Sequence, residues 1–470
     1  MERRDKSLDV ALYIDEMRVS RRQILIYFVC AFVAMADGFD AQAIGYVAPA
    51  IIQGWGITRS ALGPVFVAGL AGMALGGMLC GMMADRVGRR PVVILSCLLF
   101  SALTFAASFA DSVQTLIVLR FLAGIGIGGA MPNVVALTAE YAPKRVRATI
   151  LMLMYSGFSL GAAVGGFLSA WLIGAYGWKS VLLFGGALPA VVTVAVFLWL
   201  PESIRFLAAK GNRAVQIKAL LDTFTPGSRL PADIRFISTE LQVSRSPVAQ
   251  LFESKRAAQT LLLWAIYFLC FLALYLLSNW LPVMIHDAGA SVEQAVFITA
   301  LYQVGGTLGS ILLGRVMDKS RPASVMACVM GAGGIVVCLI GVFGIESRIL
   351  LSVLACGAGV TVIGGVICSH FVAADTYPTA LRSTGLGWAF GAGRIGGIVG
   401  SLYGGALFSL HIGISNMLFA GSVPLFVAAI AGVCLARTSN LNAPMRRNDE
   451  DASDQSDATI SPPDHLRIKP

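Results

Sequence analysis

Twelve apolar runs partition this chain, at about residues 23–50, 62–83, 91–110, 114–138, 149–174, 180–200, 258–285, 292–316, 323–343, 348–373, 383–410 and 414–436. A helix needs roughly 20 apolar residues to cross a hydrocarbon layer. Inside that layer no water satisfies the backbone, so a spanning segment is a helix or part of a closed barrel. Runs of this length without strict alternation read as helices. The pattern therefore predicts an all-α membrane protein of twelve transmembrane helices. Composition agrees, with 57% hydrophobic and only 13% charged residues, where a soluble domain averages about 25% charged.

The runs fall into two sets of six. The expected organisation is a cytoplasmic N-terminus (1–22), an N-terminal six-helix bundle (23–200), a cytoplasmic linker (201–257), a C-terminal six-helix bundle (258–436) and a disordered cytoplasmic tail (437–470), polar and poor in hydrophobes. Orientation follows the excess of Lys and Arg. Loops and run ends on the N-terminal side carry 30 of the 35 basic residues, and the opposite loops only Arg59, Lys179 and Arg348. Both termini are therefore expected in the cytoplasm. Residues 1–22 are polar and precede a run too long for a signal peptide, so no cleavable leader is expected. The net charge of +9 lies in these short loops and is no nucleic-acid footprint. The nine cysteines form no C-x-x-C pair and the four histidines are scattered. Neither a metal nor another cofactor is expected.

An internal repeat ties the halves together. Gly81, Asp85 and Arg86 recur as Gly314, Asp318 and Lys319, an offset of 233, and Glu140, Pro143, Arg147 and Thr149 recur as Asp375, Pro378, Arg382 and Thr384, an offset of 235. Gly157, Gly161 and Gly165 correspond to Ala392, Gly396 and Gly400. Two six-helix halves repeating in parallel is the plan of a transporter that rocks about a central site.

Charge inside the runs marks that site. An ionised side chain at bilayer depth costs about 2.5–3.5 kcal/mol even on a lenient scale and is a functional candidate by default. Asp37 and Asp40 are three residues apart on one helical face. Arg120 and Arg394 are the cations within runs. At 1.5 Å per residue, Asp40 and Arg120 fall roughly 9 and 7 Å beyond the midplane on the same side, while Asp37 and Arg394 lie close to it. An Asp40–Arg120 pair is expected, with a region between Asp37 and Arg394 that admits a substrate anion. Proton and substrate translocation is thus assigned to Asp37, Asp40, Arg120 and Arg394. Nearby aromatic and amide side chains, Phe39, Tyr275, Asn279, Trp280, Tyr302 and Trp388, are candidates to line a pocket for a flat ring. The loop after the second run reads Gly81-Met-Met-Ala-Asp85-Arg86-Val-Gly88-Arg89-Arg90. Gly81 is expected to allow close helix approach, Asp85 to cap a neighbouring helix N-terminus, and the arginines to reach acids such as Glu140. With Asp318 of the repeat, these residues form the expected cytoplasmic gate.

The G-x-x-x-D-R-x-G-R-R loop resembles the loop 2–3 motif of the major facilitator superfamily. Together with Asp37-Gly38-Phe39-Asp40, Arg120 and Arg394, the chain over about residues 15–436 is similar to the aromatic acid:proton symporter family, in particular to bacterial carriers of 4-hydroxybenzoate and protocatechuate. The resemblance implies the major facilitator fold with two pseudo-symmetric bundles. It also implies uptake of benzoate-like anions with protons across a bacterial inner membrane, with Asp37 and Asp40 serving transport and Asp85 and Asp318 the cytoplasmic gate. The second gate motif, from Gly314 to Arg321, is shorter by two residues and lacks the second Gly. The expected partners are an aromatic acid anion, protons and the lipid bilayer. Symport of other small organic anions, or a sensor on a transporter scaffold, is the alternative; an enzyme would need a polar catalytic cluster that the sequence lacks.

Overall fold

The computed structural model describes residues 7–210, 213–224, 235–237, 248–253, 256–317, 320–344, 347–377 and 379–457. The N-terminal half contains α2 (Arg21–Trp55), α3 (Gly63–Val87, entered by a 3₁₀ turn at Arg59–Leu62), α4 (Arg89–Ala107), α5 (Val113–Tyr141), α6 (Arg147–Tyr176) and α7 (Trp178–Trp199). The C-terminal half contains α10 (Arg256–Asp287), α11 (Val292–Met317), α12 (Pro322–Leu339), α13 (Arg348–Ala358) running into α14 (Gly364–Thr376), α15 (Thr379–Ser409) and α16 (Ile414–Asp457). Eleven helical spans among the described residues are long and apolar enough to cross a membrane. The twelfth, α15, carries Arg382 and Arg394 in its 31 residues.

Helix starts follow local chemistry. Ser20 and Gln23 exchange hydrogen bonds of 3.3 and 2.8 Å in a capping box that opens α2. Gly56, at φ 62°, closes the same helix in a left-handed cap. The repeat seen in the sequence is realised as packing. A Cβ on Gly161 would lie 1.9 Å from the Met35 carbonyl oxygen, and one on Gly396 would lie 2.1 Å from that of Phe268. Only glycine allows α6 to lie this close to α2, and α15 to α10. The tenth span, expected as one uniform run, is interrupted by a π turn at Gly359–Ile363 between α13 and α14. Such turns insert one residue into the helical ladder and re-aim the helix beyond them.

Part of the 201–257 segment, expected as a linker, is folded. Its α8 (Ile204–Ala209), α9 (Ala214–Phe224) and β2 (Arg235–Ile237) form a cap with β1 (Ser7–Asp9) and α1 (Val10–Glu16). The strands pair in parallel, Ser7 opposite Arg235 and Asp9 opposite Ile237. Val10, Ile14, Ile204, Leu207, Ile217, Leu221 and Phe224 are buried in one cluster with the base of α2. This amphipathic surface could not stay in water, and the bundle offers the nearest cover. Asp15 anchors the cap, accepting from Arg147 at 2.6 Å and from the Lys144 amide at 2.9 Å. At the other end, α16 continues past the expected span end to Asp457.

The two halves meet on the face away from this cap. There Arg59 Nε and Nη2 donate to Asp287 at 2.6 and 3.0 Å. Phe66 of α3 sets its ring edge against Trp280 of α10 with centroids 5.2 Å apart, and Phe167 of α6 meets Phe297 of α11 at 5.1 Å. On the cap side Asp85, Arg86 and Arg382 are exposed.

Candidate functional site

The acids of α2 are the most buried charges in the molecule, Asp37 and Asp40 each only 1% exposed. The helical period turns both toward the interior of the N-terminal bundle. Asp40 is fully engaged: Thr104 Oγ1 of α4 donates to one oxygen at 2.7 Å, and Arg120 Nη1 of α5 to the other at 3.0 Å. The structure thus joins the two charges that depth alone paired. Arg120 Nε and Nη2 find no acceptor among the described residues. Asp37, one turn nearer the cap face, differs: its Oδ1 accepts no hydrogen bond among the described residues. An ionised carboxylate so placed is costly.

Arg394 approaches from the other half. Its Nη1 donates to the Met73 carbonyl of α3 at 3.2 Å, and its side chain is exposed to the space between the halves. It makes no ion pair with Asp37; Asp40, one turn on, is the acid that pairs, with Arg120. Tyr275 of α10 lies within electrostatic reach of both Asp37 and Arg394 and packs its ring against Gly397. Tyr275 is thus within reach both of a cation at the seam and of a carboxyl inside the N-terminal bundle, Arg394 having no carboxylate partner and Asp37 Oδ1 no donor among the described residues.

The other pocket candidates separate. Tyr302 is buried and its hydroxyl unpartnered; Asn279 Nδ2 donates to Ser401 Oγ at 2.9 Å. Phe39 instead sits within the N-terminal bundle, edge-on to Phe184 at 5.6 Å. Trp280 is fully buried, donates from Nε1 to the Ser401 carbonyl at 2.9 Å, and packs on Phe66 and Phe408 at the closed face. Trp388 is 48% exposed and stacks on Trp264 at 5.6 Å, toward the cap-side end of α15. Beside these, sequence reasoning missed a polar pair in the second half: Tyr267 Oη lies 2.8 Å from His370 Nδ1, with the Phe390 ring 4.6 Å from the imidazole.

At the gate loop Gly88 adopts φ 107°, a conformation that glycine adopts freely, and so turns α3 into α4. The N-terminus of α4 is capped by Glu202. Its Oε1 accepts from the amides of Arg89 at 2.8 Å, Arg90 at 3.2 Å and Ser203 at 2.7 Å, the favoured place for a carboxylate at a helix N-terminus. Arg89 pairs with Glu140 as expected, and Ser203 Oγ donates to Glu140 at 2.6 Å. Arg90 donates to the Phe197 carbonyl at 2.6 Å, and the Arg86 carbonyl accepts from Lys210 at 3.3 Å. Asp85 is exposed, and a Cβ on Gly81 would meet nothing within 4 Å. The close approach expected at Gly81 is therefore not made here, because the halves meet on the far face instead. Asp318 lies outside the described residues. Sequence reasoning also missed Thr104, Glu202 and Ser203. Glu202 carried a signal, an acid directly after the sixth run among basic loops; a lone Thr inside an apolar run carries none.

Residues 30–262 and 263–456 each match the Major Facilitator Superfamily, and the chain belongs to that superfamily of membrane transporters. Among curated proteins it is 41% identical over 428 residues to a gallate transporter of Pseudomonas putida, covering 91% of this chain and 95% of that one. It is 37% identical over 429 residues to the 4-hydroxybenzoate transporter PcaK of Acinetobacter baylyi, covering 90% and 93%. Among solved structures it matches a bacterial homologue of the human lysosomal transporter Spinster in an inward-facing, unoccupied conformation. The TM-score is 0.68 at 16% identity, over 89% of this chain and 98% of that one, a likeness of fold.

Proposed function

We propose that this chain imports hydroxylated aromatic carboxylates together with protons, across a bacterial inner membrane, by alternating access. The observation that carries the reading is the Arg394 guanidinium at the seam, with no carboxylate partner among the described residues, and Tyr275 beside it within reach of the donorless Asp37 Oδ1. The relatives named for gallate and 4-hydroxybenzoate support the substrate class. Arg394 presents a planar fork that binds a carboxylate through two parallel hydrogen bonds, and the Tyr275 ring offers an aromatic face beside it. Asp37 takes the transported proton: neutral, it tolerates its buried position, and it gives the proton up when its side of the seam is wetted. Asp40, held by Thr104 and Arg120, stays locked within the bundle one turn away. With both termini cytoplasmic, as the distribution of Lys and Arg argues, the structure is closed to the periplasm and has the gate loop released.

Two protons per monovalent anion would move one net charge, worth about 2.3 kcal/mol per 100 mV, or roughly 50-fold accumulation. One-to-one exchange would be electroneutral and draw on the pH difference alone. The test is uptake of labelled 4-hydroxybenzoate into inside-negative, outside-acid vesicles. Accumulation should collapse on adding a protonophore, and hydroxybenzoates should compete where aliphatic mono- and dicarboxylates do not. Competition by aliphatic acids alone would sink the assignment.

A further inference from the structure

Three buried polar side chains on three different helices stand near the seam without hydrogen-bond partners among the described residues: Gln42 Oε1 on α2, Ser278 Oγ on α10 and Tyr302 Oη on α11. Gln42, Ser278 and Tyr302 are 7, 1 and 0% exposed. Buried polar groups are almost always paired, and each exception needs a reason. These three share one locality. The Ser278 and Tyr302 hydroxyls approach each other without reaching normal hydrogen-bond geometry. Gly45 touches the same place, where a Cβ would come within 2.9 Å of the Ser278 carbonyl oxygen. Gln42 precedes Gly45 by three residues and so shares its helical face, about one turn below the level of Ser278.

Their height relative to Arg394 is set by the α10–α15 seam. Gly396 packs against the Phe268 backbone and Gly400 against that of Leu272, so Arg394 leaves α15 level with about residue 267 of α10. Ser278 is some eleven residues further along, ~16 Å at 1.5 Å per residue. The extended Arg394 side chain and one benzene ring, its carboxylate at the arginine end and a substituent at the other, together span such an interval.

We propose that Gln42, Ser278 and Tyr302 form the hydroxyl-reading end of the substrate site, which selects benzoates bearing a ring hydroxyl remote from the carboxylate over unsubstituted benzoate. The inference rests on the import of aromatic carboxylates proposed above. The phenolic O–H donates to Gln42 Oε1, while its oxygen accepts from the Ser278 and Tyr302 hydroxyls. A site built to bond a substrate hydroxyl rejects the analogue lacking it, because the protein groups are then left buried and unpaired. Ring-ether analogues fail for a related reason: the oxygen remains but the donor is gone.

The test is calorimetric titration of the purified full-length protein with 4-hydroxybenzoate, 4-methoxybenzoate and benzoate, for wild type and for Gln42→Leu, Ser278→Ala, Ser278→Thr and Tyr302→Phe. Wild type should bind 4-hydroxybenzoate at least about tenfold more tightly than either analogue. Gln42→Leu, Ser278→Ala and Tyr302→Phe should each bring the 4-hydroxybenzoate to benzoate ratio down severalfold, with benzoate affinity kept. Ser278→Thr, which retains the hydroxyl, should preserve the ratio. Should one variant not fold, the other two carry the measurement. A ratio unchanged in every folded variant, or an equal loss for both ligands, overturns the hydroxyl-reading end while leaving aromatic carboxylate import standing. A wild type that binds none of the three ligands overturns the proposed function itself.

Discussion

The two acids of α2 differ by one helical turn and by everything around them. Asp40 has a donor for each oxygen, Thr104 and Arg120, whereas Asp37 Oδ1 has none among the described residues. Removing one partner of a buried pair strands the other and costs about 3–5 kcal/mol. Arg120→Met should therefore lower the thermal unfolding midpoint in detergent markedly, and adding Asp40→Asn should recover much of the loss; strictly additive effects would deny the coupling. Thr104→Val, which removes one neutral donor, should cost about 1–2 kcal/mol by the same assay. At Arg394, replacement by Lys keeps the charge but loses the fork. Carboxylate affinity should drop about tenfold while stability is unchanged, as titration with 4-hydroxybenzoate would show. The Asp40–Arg120 pair was legible because helical rise fixes depth. Thr104 was not, since one hydroxyl in an apolar run has no pattern to betray it. Glu202 caps α4 because Pro201 ends α7 beside that helix start, a juxtaposition that exists only in three dimensions.

Among the elements, those with a strict period or spacing were readable and those that depend on cover were not. The spanning helices came from apolar runs, and the Gly161 and Gly396 seams from the repeat. The cap was hidden, because a three-residue strand pairing across more than 220 residues leaves no local signal; its sides, β1 and β2, are linked only by register. The π turn at Gly359–Ile363 lies within an unbroken apolar run and was equally silent. Glycines with the same apparent role separate by what they touch. Gly161→Ala would drive a methyl into the Met35 backbone and should cost about 1–3 kcal/mol. Gly81→Ala meets open space and should stay within about 0.5 kcal/mol of wild type. Thermal unfolding of the two variants side by side checks the contrast, and equal losses would contradict it.

For the molecule as a whole, the duplication was written in the sequence, but the face on which the halves close was not. Here Arg59 and Asp287 bridge the far face, with Arg59 half exposed. An exposed pair contributes about 0.2–1 kcal/mol, so Arg59→Ala should shift the balance toward opening on that face by up to about fivefold. Spin labels at Ser60 and Ala288 should then show a larger long-distance population, and an unchanged distribution would mean the pair plays no part in closure. The central claim is that Asp37 couples protons to a site that Arg394 anchors between the rocking halves. Its most direct test is Asp37→Asn in proteoliposomes, comparing exchange of labelled against unlabelled 4-hydroxybenzoate with accumulation driven by an imposed pH gradient. The account predicts that exchange persists while gradient-driven accumulation is lost; accumulation equal to wild type would contradict it.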